Sequence, residues 1–220
     1  ENVKCNYTTP ISGKYGNIEM FEHPPNGQGA TAICINNILS HFDIKSMDAF
    51  GVQRTHIEAE ATKLAYDARN RFIADKSNRI DHMLSMETAK NLASLINPRS
   101  VTVNVKSITE SVHKETICLT IVDKDLMSVS LIYSVFHSFG SGFASSKYGI
   151  NFQNRGAGFT LERNHPNEVG AKKRPMHTII PGMLKKNDKI LMPFCVMGGA
   201  YQATGHSRFV SNIVDFDLHP

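Results

Sequence analysis

The hydrophobic period of this chain changes near its middle, and this change constrains the fold more than any other feature. Before residue 97, apolar side chains recur at the spacing of α-helices, whereas from Thr116 onward they alternate with polar ones as in β-strands. Residues 97–115 lie between these regions and are polar, which indicates an exposed linker. The sequence therefore predicts a mainly helical part at 1–96 and a sheet-forming part at 116–220.

The first part contains several predicted helices. A largely apolar run at 30–39 predicts a buried helix after a Gly-rich turn, and residues 86–96 predict another that Ser85 caps. The clearest helix covers 49–74 and has one apolar face, formed by Ile57, Ala61, Leu64, Ala65, Ala68 and Phe72. The charged residues of this helix are expected mainly off that face; they are Arg54, Glu58, Lys63, Arg69 and Arg71.

The strand predictions rest on period-2 alternation. Residues 116–123 and 128–135 are separated by a short turn and predict a β-hairpin. Further strands are expected near 149–153 and 189–196, and a short strand pattern lies at 17–21. The segment from Gly198 to Phe216 begins with Gly-Gly and carries Phe209, Ile213 and Phe216 at helical spacing. We therefore expect a helix near the end of the chain.

Composition excludes several classes of protein. A chain of 220 residues with 41% hydrophobic and 20% charged residues is typical of a globular protein and too apolar for a disordered one. The net charge of +4 is not concentrated in a basic stripe, so a nucleic-acid partner is not expected. No run approaches the roughly 20 apolar residues that span a bilayer, so no membrane span is predicted.

The N-terminal residues show no signal-peptide pattern and no initiator Met. The chain therefore reads as an internal segment of a longer protein. The compartment stays open, with the cytoplasm favoured over the periplasm.

Cysteines and histidines give no sign of a metal centre. The four cysteines form no C-x-x-C pair and the ten histidines form no H-E-x-x-H pair, so neither a metal nor a cofactor is predicted. Cys34, Cys118 and Cys195 lie in apolar runs, whereas Cys5 lies near the N-terminus. We expect buried free thiols, because cysteine is readily buried. Disulfides stay open as an alternative.

Short motifs along nearly the whole chain resemble one family. In the first part they are PPNGQG at 24–29 and KLAYDARNR at 63–71. In the second part they are TICLTIVDKD at 116–125, SVSLIYS at 128–134, FGSG at 139–142, NRGAGF at 154–159, KRP at 173–175, HT at 177–178, MGG at 197–199, Gln202, GH at 205–206 and NIVDF at 212–216. Their order and spacing together resemble the γ-glutamyltranspeptidase family.

The resemblance implies an α+β fold, the αββα four-layer sandwich of the N-terminal-nucleophile hydrolases, which is incomplete in this chain. It also implies a precursor that cuts itself between Glu115 and Thr116. Residues 1–96 would then be the C-terminal part of the large-subunit region, and 116–220 the N-terminal part of the small-subunit region. The chain is less than half as long as the family precursors and lacks both ends of that architecture.

Thr116 is the residue that the resemblance identifies as the nucleophile. A Thr hydroxyl needs an adjacent base, and a newly freed α-amine with a pKa of about 7.7–8.0 suits that task near neutral pH. The alternative is a β-branched residue that begins a strand. Cys118 would point to the same face of the strand, but an apolar strand position normally raises the pKa of a thiol.

The resemblance assigns further catalytic roles to Gly198, Gly199 and Ser134. The backbone N–H groups of the glycine pair would form the oxyanion hole that stabilises the tetrahedral oxygen. Ser134 lies where the family has a hydroxyl that hydrogen-bonds the nucleophile. The alternatives are a strand-to-helix turn for the glycines and an ordinary strand serine.

The predicted substrate-binding residues depart from the glutathione-cleaving members of the family. His177 and Thr178 stand where those members hold the substrate α-carboxylate with two serines. Phe136, Arg155 and Gly158 replace the Asn, Gln and Asp that hold its α-amino group. Arg155 instead offers a cationic fork to a carboxylate. The NRGAGF segment at 154–159 is more similar to the branch of the family that contains oxamate amidohydrolase.

The sequence thus predicts a self-processing amidohydrolase or γ-glutamyltransferase-like enzyme that acts through a Thr acyl-enzyme on a small amide acid. Its expected partners are that small-molecule amide substrate and the remaining segments of the large and small subunits. The alternative is an inactive fragment that serves as a structural subunit.

Overall fold

The computed structural model describes residues 6–102 and 114–219, and the backbone alone at Lys114 and Glu115. Cys5 and most of the predicted linker therefore lie outside the described residues. The main sheet has four antiparallel strands in the order β1-β2-β5-β6. These strands are β1 (Ile11–Tyr15), β2 (Ile18–Glu22), β5 (Gly182–Lys186) and β6 (Lys189–Phe194).

The helices pack around α1 (Gly29–Leu39), in which every residue is buried. The others are α2 (Val52–Phe72), α3 (Ile80–Leu84), α4 (Met86–Ala93) and α5 (Gln202–Phe216). The α1 helix contacts all four of them and also β1, so the core lies between the helices and the main sheet. Ser85 caps α4 as predicted, since its Oγ accepts a hydrogen bond of 3.1 Å from the Thr88 N–H.

The predicted β-hairpin is confirmed as β3 (Lys114–Val122) and β4 (Ser128–His137), which form a second, two-stranded sheet. The β3 strand begins at Lys114, two residues before the predicted start at Thr116. One face of the hairpin meets β6, where Ser130 Oγ donates to the Phe194 carbonyl oxygen at 2.8 Å. The other face exposes apolar side chains, namely Ile117, Leu119, Ile121, Val129, Leu131 and Tyr133.

Several expectations are wrong. Residues 149–153 form no strand; only an isolated bridge joins Asn151 to Ala144, because Gly140, Gly142 and Gly149 adopt positive φ angles that turn the chain. The sequence reading also missed β1 and β5.

The expected polar face of α2 is wrong in part. Arg54 is fully buried and Glu58 nearly so, because they pair with each other at 2.8 Å and contact α5. A buried charge is tolerated when it is paired and hydrogen-bonded. The α+β class is confirmed: helices cover the main sheet and the hairpin adds a second one.

Candidate active site

Thr116 lies at an irregularity of the hairpin. Glu115 pairs with Phe136 and Ile117 pairs with Tyr133, so the register shifts around Thr116. Such bulges are frequent beside active sites, where they re-aim a side chain. Thr116 Oγ1 lies 3.5 Å from Ser134 Oγ, which is longer than the roughly 2.5–3.0 Å of an ordinary O–H···O hydrogen bond. The structure thus brings together the two hydroxyls that the sequence singled out.

Ser134 is held by the backbone of its own strand. Its Oγ accepts a hydrogen bond of 2.9 Å from the Phe136 N–H. Phe136 has a φ of 79°, a left-handed conformation that is unusual for a bulky residue. Residues held in such conformations cluster at functional sites, where the surrounding structure maintains them.

The glycine pair opens the segment that leads into α5. Gly198 has a φ of 120° and Gly199 a φ of 59°, so a side chain at either position would be strained. A short 3-10 helix, Gly199–Tyr201, follows and lies beside β3, the strand of Thr116. The structure therefore places the glycine pair next to the strand of the predicted nucleophile.

Arg155 and Thr178 form the other pair that the structure brings together. Arg155 Nη1 donates to Thr178 Oγ1 at 2.7 Å, and its guanidinium lies 4.2 Å from the centre of the Phe136 ring. Arg155 is only 4% exposed, yet its Nε and Nη2 have no hydrogen-bond partner within the described ranges. Burial lowers its pKa to about 10, so the side chain stays cationic at neutral pH.

A cavity of about 530 Å³ lies between β4 and the loops before α1 and β5, and neither Thr116 nor the glycine pair is among its lining residues. Ser134, Arg155 and His177 line it together with Arg174. No carboxylate is present among the described residues of the lining. A Cβ at Gly158, which lies outside the lining, would come within 3.3 Å of the Met176 carbonyl oxygen, so an acidic side chain has little room there. The cavity therefore favours an anion over a cation.

His177 is neutral in this cavity. Burial lowers its pKa to about 3, and the charges of Arg155 and His23 add to the effect. Its Nδ1 accepts a hydrogen bond of 3.3 Å from the Ile179 N–H, so the ring proton resides on Nε2. His177 can thus donate one hydrogen bond without adding charge.

The expectation of free thiols is wrong for Cys118 and Cys195, which form a disulfide between β3 and the end of β6. Their segments lie side by side in the fold although 77 residues separate them in sequence. A sulfur in a disulfide is no thiolate, and this removes Cys118 as the alternative nucleophile. Cys34 is buried and free, as expected.

Sequence reasoning missed Gln28, Arg69 and Tyr66, which support the site through hydrogen bonds. Gln28 bonds to both the Thr178 and the Gly199 carbonyl oxygens, and Arg69 bonds to Gln28. Gln28 belongs to the PPNGQG motif, and the other two belong to KLAYDARNR. The motifs therefore contained these residues, but a role could be assigned to them only once the fold showed that the two motifs lie together.

No cluster of three or more His, Cys, Asp or Glu side chains in the described part of the chain could hold a metal ion. The helices there include none with the length and apolar character needed to cross a membrane.

Comparison with known proteins agrees with the resemblance. The family described as Gamma-glutamyltranspeptidase matches the chain over residues 1–220. The glutathione hydrolase-like YwrD proenzyme of Bacillus subtilis is 28% identical over 97% of this chain and 41% of the relative. The oxamate amidohydrolase proenzyme of Klebsiella pneumoniae is 30% identical over 86% of this chain and 36% of the relative.

A solved structure shows the same fold. The crystal structure of cephalosporin acylase from Bacillus halodurans matches 98% of this chain and 39% of that chain, with a TM-score of 0.86 and 36% identity. The chain thus spans about two fifths of the length of the relatives that it matches. The family match over its whole length and the fold of this solved relative lead to one conclusion: the chain belongs to the γ-glutamyltranspeptidase family of N-terminal-nucleophile hydrolases.

Proposed function

We propose that this chain carries the catalytic centre of a self-processing amidohydrolase that acts on a small amide acid without an α-amino group. Thr116 is its nucleophile, and the remaining segments of both subunits complete it. The proenzyme names of its relatives support self-processing. The observation that carries the substrate proposal is the buried, incompletely paired guanidinium of Arg155 in a cavity beside Ser134.

Self-cleavage begins when Thr116 Oγ1 attacks the carbonyl carbon of Glu115. The peptide C–N bond breaks, an ester to Oγ1 forms, and the freed nitrogen becomes the α-amine of Thr116. Water then hydrolyses the ester and releases the Glu115 carboxylate. The bulge opposite Thr116, where Ser134 and Val135 of β4 face this single residue, supports this step, because it takes Thr116 out of regular strand pairing.

Turnover uses the same hydroxyl. The α-amine of Thr116 takes the Oγ1 proton as the oxygen attacks the substrate amide carbon, and it passes that proton to the leaving amine. The backbone N–H groups of Gly198 and Gly199 stabilise the tetrahedral oxygen. Ser134 holds Oγ1 in place, and water hydrolyses the acyl-enzyme to regenerate Thr116.

Arg155 selects the substrate. Its Nε and Nη2 can bind both oxygens of a carboxylate, and Phe136 fixes the plane of the guanidinium. His177 adds a neutral donor from Nε2. A substrate ammonium would meet two arginines and no carboxylate among the described lining residues, so its desolvation would go uncompensated. The relative named oxamate amidohydrolase is consistent with an amide substrate of this kind.

The outer face of the hairpin supports the proposal that further segments of the protein complete the enzyme. Its six apolar side chains are all exposed in this chain. Contiguous exposed apolar surface favours burial against a partner. We propose that segments of the same protein cover it, since the relatives are more than twice as long.

The test uses the complete protein that contains this chain. Mass spectrometry should find a cut between Glu115 and Thr116, and kcat/KM should be higher for oxamate-like amides than for a γ-glutamyl anilide. Arg155→Met should lower kcat/KM for the amide acid by about a hundredfold or more, because two charge-assisted hydrogen bonds are lost. Arg79→Met, at an exposed arginine outside the cavity, is the control.

A clear preference for the γ-glutamyl compound would overturn the substrate proposal. A folded protein that is neither cut nor active would instead support the structural-subunit alternative.

A further inference from the structure

The side chain of Gln28 bridges two segments that are distant in sequence and adjacent in the site. Its Nε2 donates to the Thr178 carbonyl oxygen at 2.7 Å and to the Gly199 carbonyl oxygen at 3.0 Å. Gln28 is fully buried, so these bonds meet no competition from solvent. Both hydrogens of the amide are used, one for each segment.

Arg69 fixes the orientation of this amide. Its Nη1 donates to Gln28 Oε1 at 3.0 Å, and a guanidinium has only donors, so the amide oxygen must face it. Arg69 is held in turn by Asn70 Oδ1, at 3.2 Å from Nε and 3.1 Å from Nη2, and by the Tyr66 ring at 4.2 Å. The amide group therefore has no freedom to flip.

The Gly199 side of the bridge concerns the predicted oxyanion hole. Glycine occupies many backbone conformations, so a Gly-Gly pair needs outside contacts to hold one of them. Gln28 holds the Gly199 carbonyl oxygen, and the Tyr66 hydroxyl donates to the Ala200 carbonyl oxygen. The Gly199–Ala200 and Ala200–Tyr201 peptide groups, which directly follow the two N–H groups of the predicted oxyanion hole, are thus held by residues from the other side of the predicted cut.

The Thr178 side of the bridge concerns the predicted carboxylate site. Thr178 Oγ1 accepts from Arg155 Nη1 at 2.7 Å, while its backbone oxygen accepts from Gln28. Arg155 is therefore linked to Gly199 by successive contacts: Arg155 bonds to the Thr178 side chain, and Gln28 bonds to the backbone oxygens of both Thr178 and Gly199.

We propose that Gln28 is a positioning residue that fixes the spacing between the carboxylate site at Arg155 and the oxyanion-hole segment at Gly199. This inference rests on the proposed function. The carboxylate of a small amide acid lies only a few bonds from its reacting carbon, so that spacing decides whether the carbon lies where Thr116 attacks. Misplacement by about 1 Å costs on the order of a hundredfold in rate.

The experiment compares Gln28→Met with Asn37→Leu in the complete protein. Asn37 is a matched control, because its buried amide donates to a backbone oxygen, that of Leu84 at 2.9 Å, away from the site. Gln28→Met should lower kcat with the amide acid by about tenfold to a hundredfold, less than the roughly 10²–10³ for loss of an oxyanion-hole donor. Asn37→Leu should leave kcat unchanged.

Hydrogen exchange gives a readout that needs no substrate. Gln28→Met should speed exchange in both segments, 177–179 and 198–201. Tyr66→Phe should speed it only in 198–201, since Tyr66 contacts Ala200 and Thr204 but not Thr178. If Gln28→Met fails to fold, Gln28→Asn takes its place: it keeps the amide but is one CH2 shorter and cannot reach both carbonyl oxygens, so it should speed exchange in the same two segments.

Unchanged kcat and unchanged exchange in Gln28→Met, or in Gln28→Asn if only that variant folds, would overturn the role of Gln28. If the wild-type protein does not turn over the amide acid, the proposed function fails, and the exchange comparison still decides whether Gln28 couples the two segments.

Discussion

The disulfide between Cys118 and Cys195 gives the prediction whose size follows most directly from the structure. Both cysteines lie after the predicted cut, so the bond closes a loop within one chain, with a sequence separation of 77. In the chain-entropy description, a loop of that length lowers the entropy of the unfolded chain by an amount worth about 4.5 kcal/mol. Replacing both cysteines with serine should therefore lower the free energy of unfolding by a few kcal/mol.

Denaturant unfolding of the wild type and of the double variant measures this loss, with and without a thiol reductant. The wild type should fall to the level of the double variant when it is reduced, whereas the double variant should not respond. Thiol titration of the denatured protein supplies the control, because reduction should expose two further thiols. Equal thiol numbers before and after reduction, or equal stabilities of the two proteins, would refute the reasoning.

Three further predictions follow from single residues. Thr116→Ala in the complete protein should abolish both self-cleavage and turnover, because no other hydroxyl takes the attacking position; mass spectrometry that finds the normal cut would contradict this. The pKa of His177 is about 3 in the folded protein and about 6.5 in the unfolded protein. Between these two pH values the unfolded state therefore binds more protons than the folded state. Stability should fall as the pH drops from 6.5 toward 3, and unfolding curves of His177→Gln should show a shallower fall. Arg54→Met should cost about 3–5 kcal/mol by denaturant unfolding, because it leaves Glu58 without its buried partner; a loss below 1 kcal/mol would show that Arg208 suffices.

The hairpin and all the helices except α3 could be predicted because their own residues display a period, an apolar run or a capping residue. The apolar face of α2 is buried at Ile57, Ala61 and Ala65, as the spacing indicated. The hairpin strands alternate at Ile117, Leu119 and Ile121 and again at Ser128, Val129 and Ser130, and the turn between them is short. Local patterns of this kind do not depend on what lies across the core.

The misses depend on partners that are distant in sequence. Arg54 is buried because Ser211 and Asn212 of α5 meet its guanidinium, which no pattern within α2 reveals. The β5 strand is short and carries Lys185 and Lys186, and it pairs with β2 from the first part of the chain. Disulfide pairing likewise follows from the approach of β3 to β6, not from spacing.

The candidate site shows the same division. Thr116 and Ser134 lie on neighbouring strands of one hairpin, so their proximity follows from the hairpin that the sequence predicts. Arg155 and Thr178 meet across a loop, and their contact required the fold. Gln28 illustrates the limit of sequence reasoning, because its three partners come from three separate segments.

The parts of the chain before and after the predicted cut share one sheet and one core, which explains how the protein can stay folded after it cuts itself. The β2 strand pairs with β5 in one sheet, and α1 packs against α5, so the core is shared across the predicted cut. Arg54 from the first part bonds to α5 from the second. The proposed site is shared as well, since Gln28 bonds to the carbonyl oxygen of Gly199 and Arg69 bonds to Gln28. A cut before Thr116 would thus free the α-amine that the chemistry needs while the hydrogen bonds that position the site stay in place.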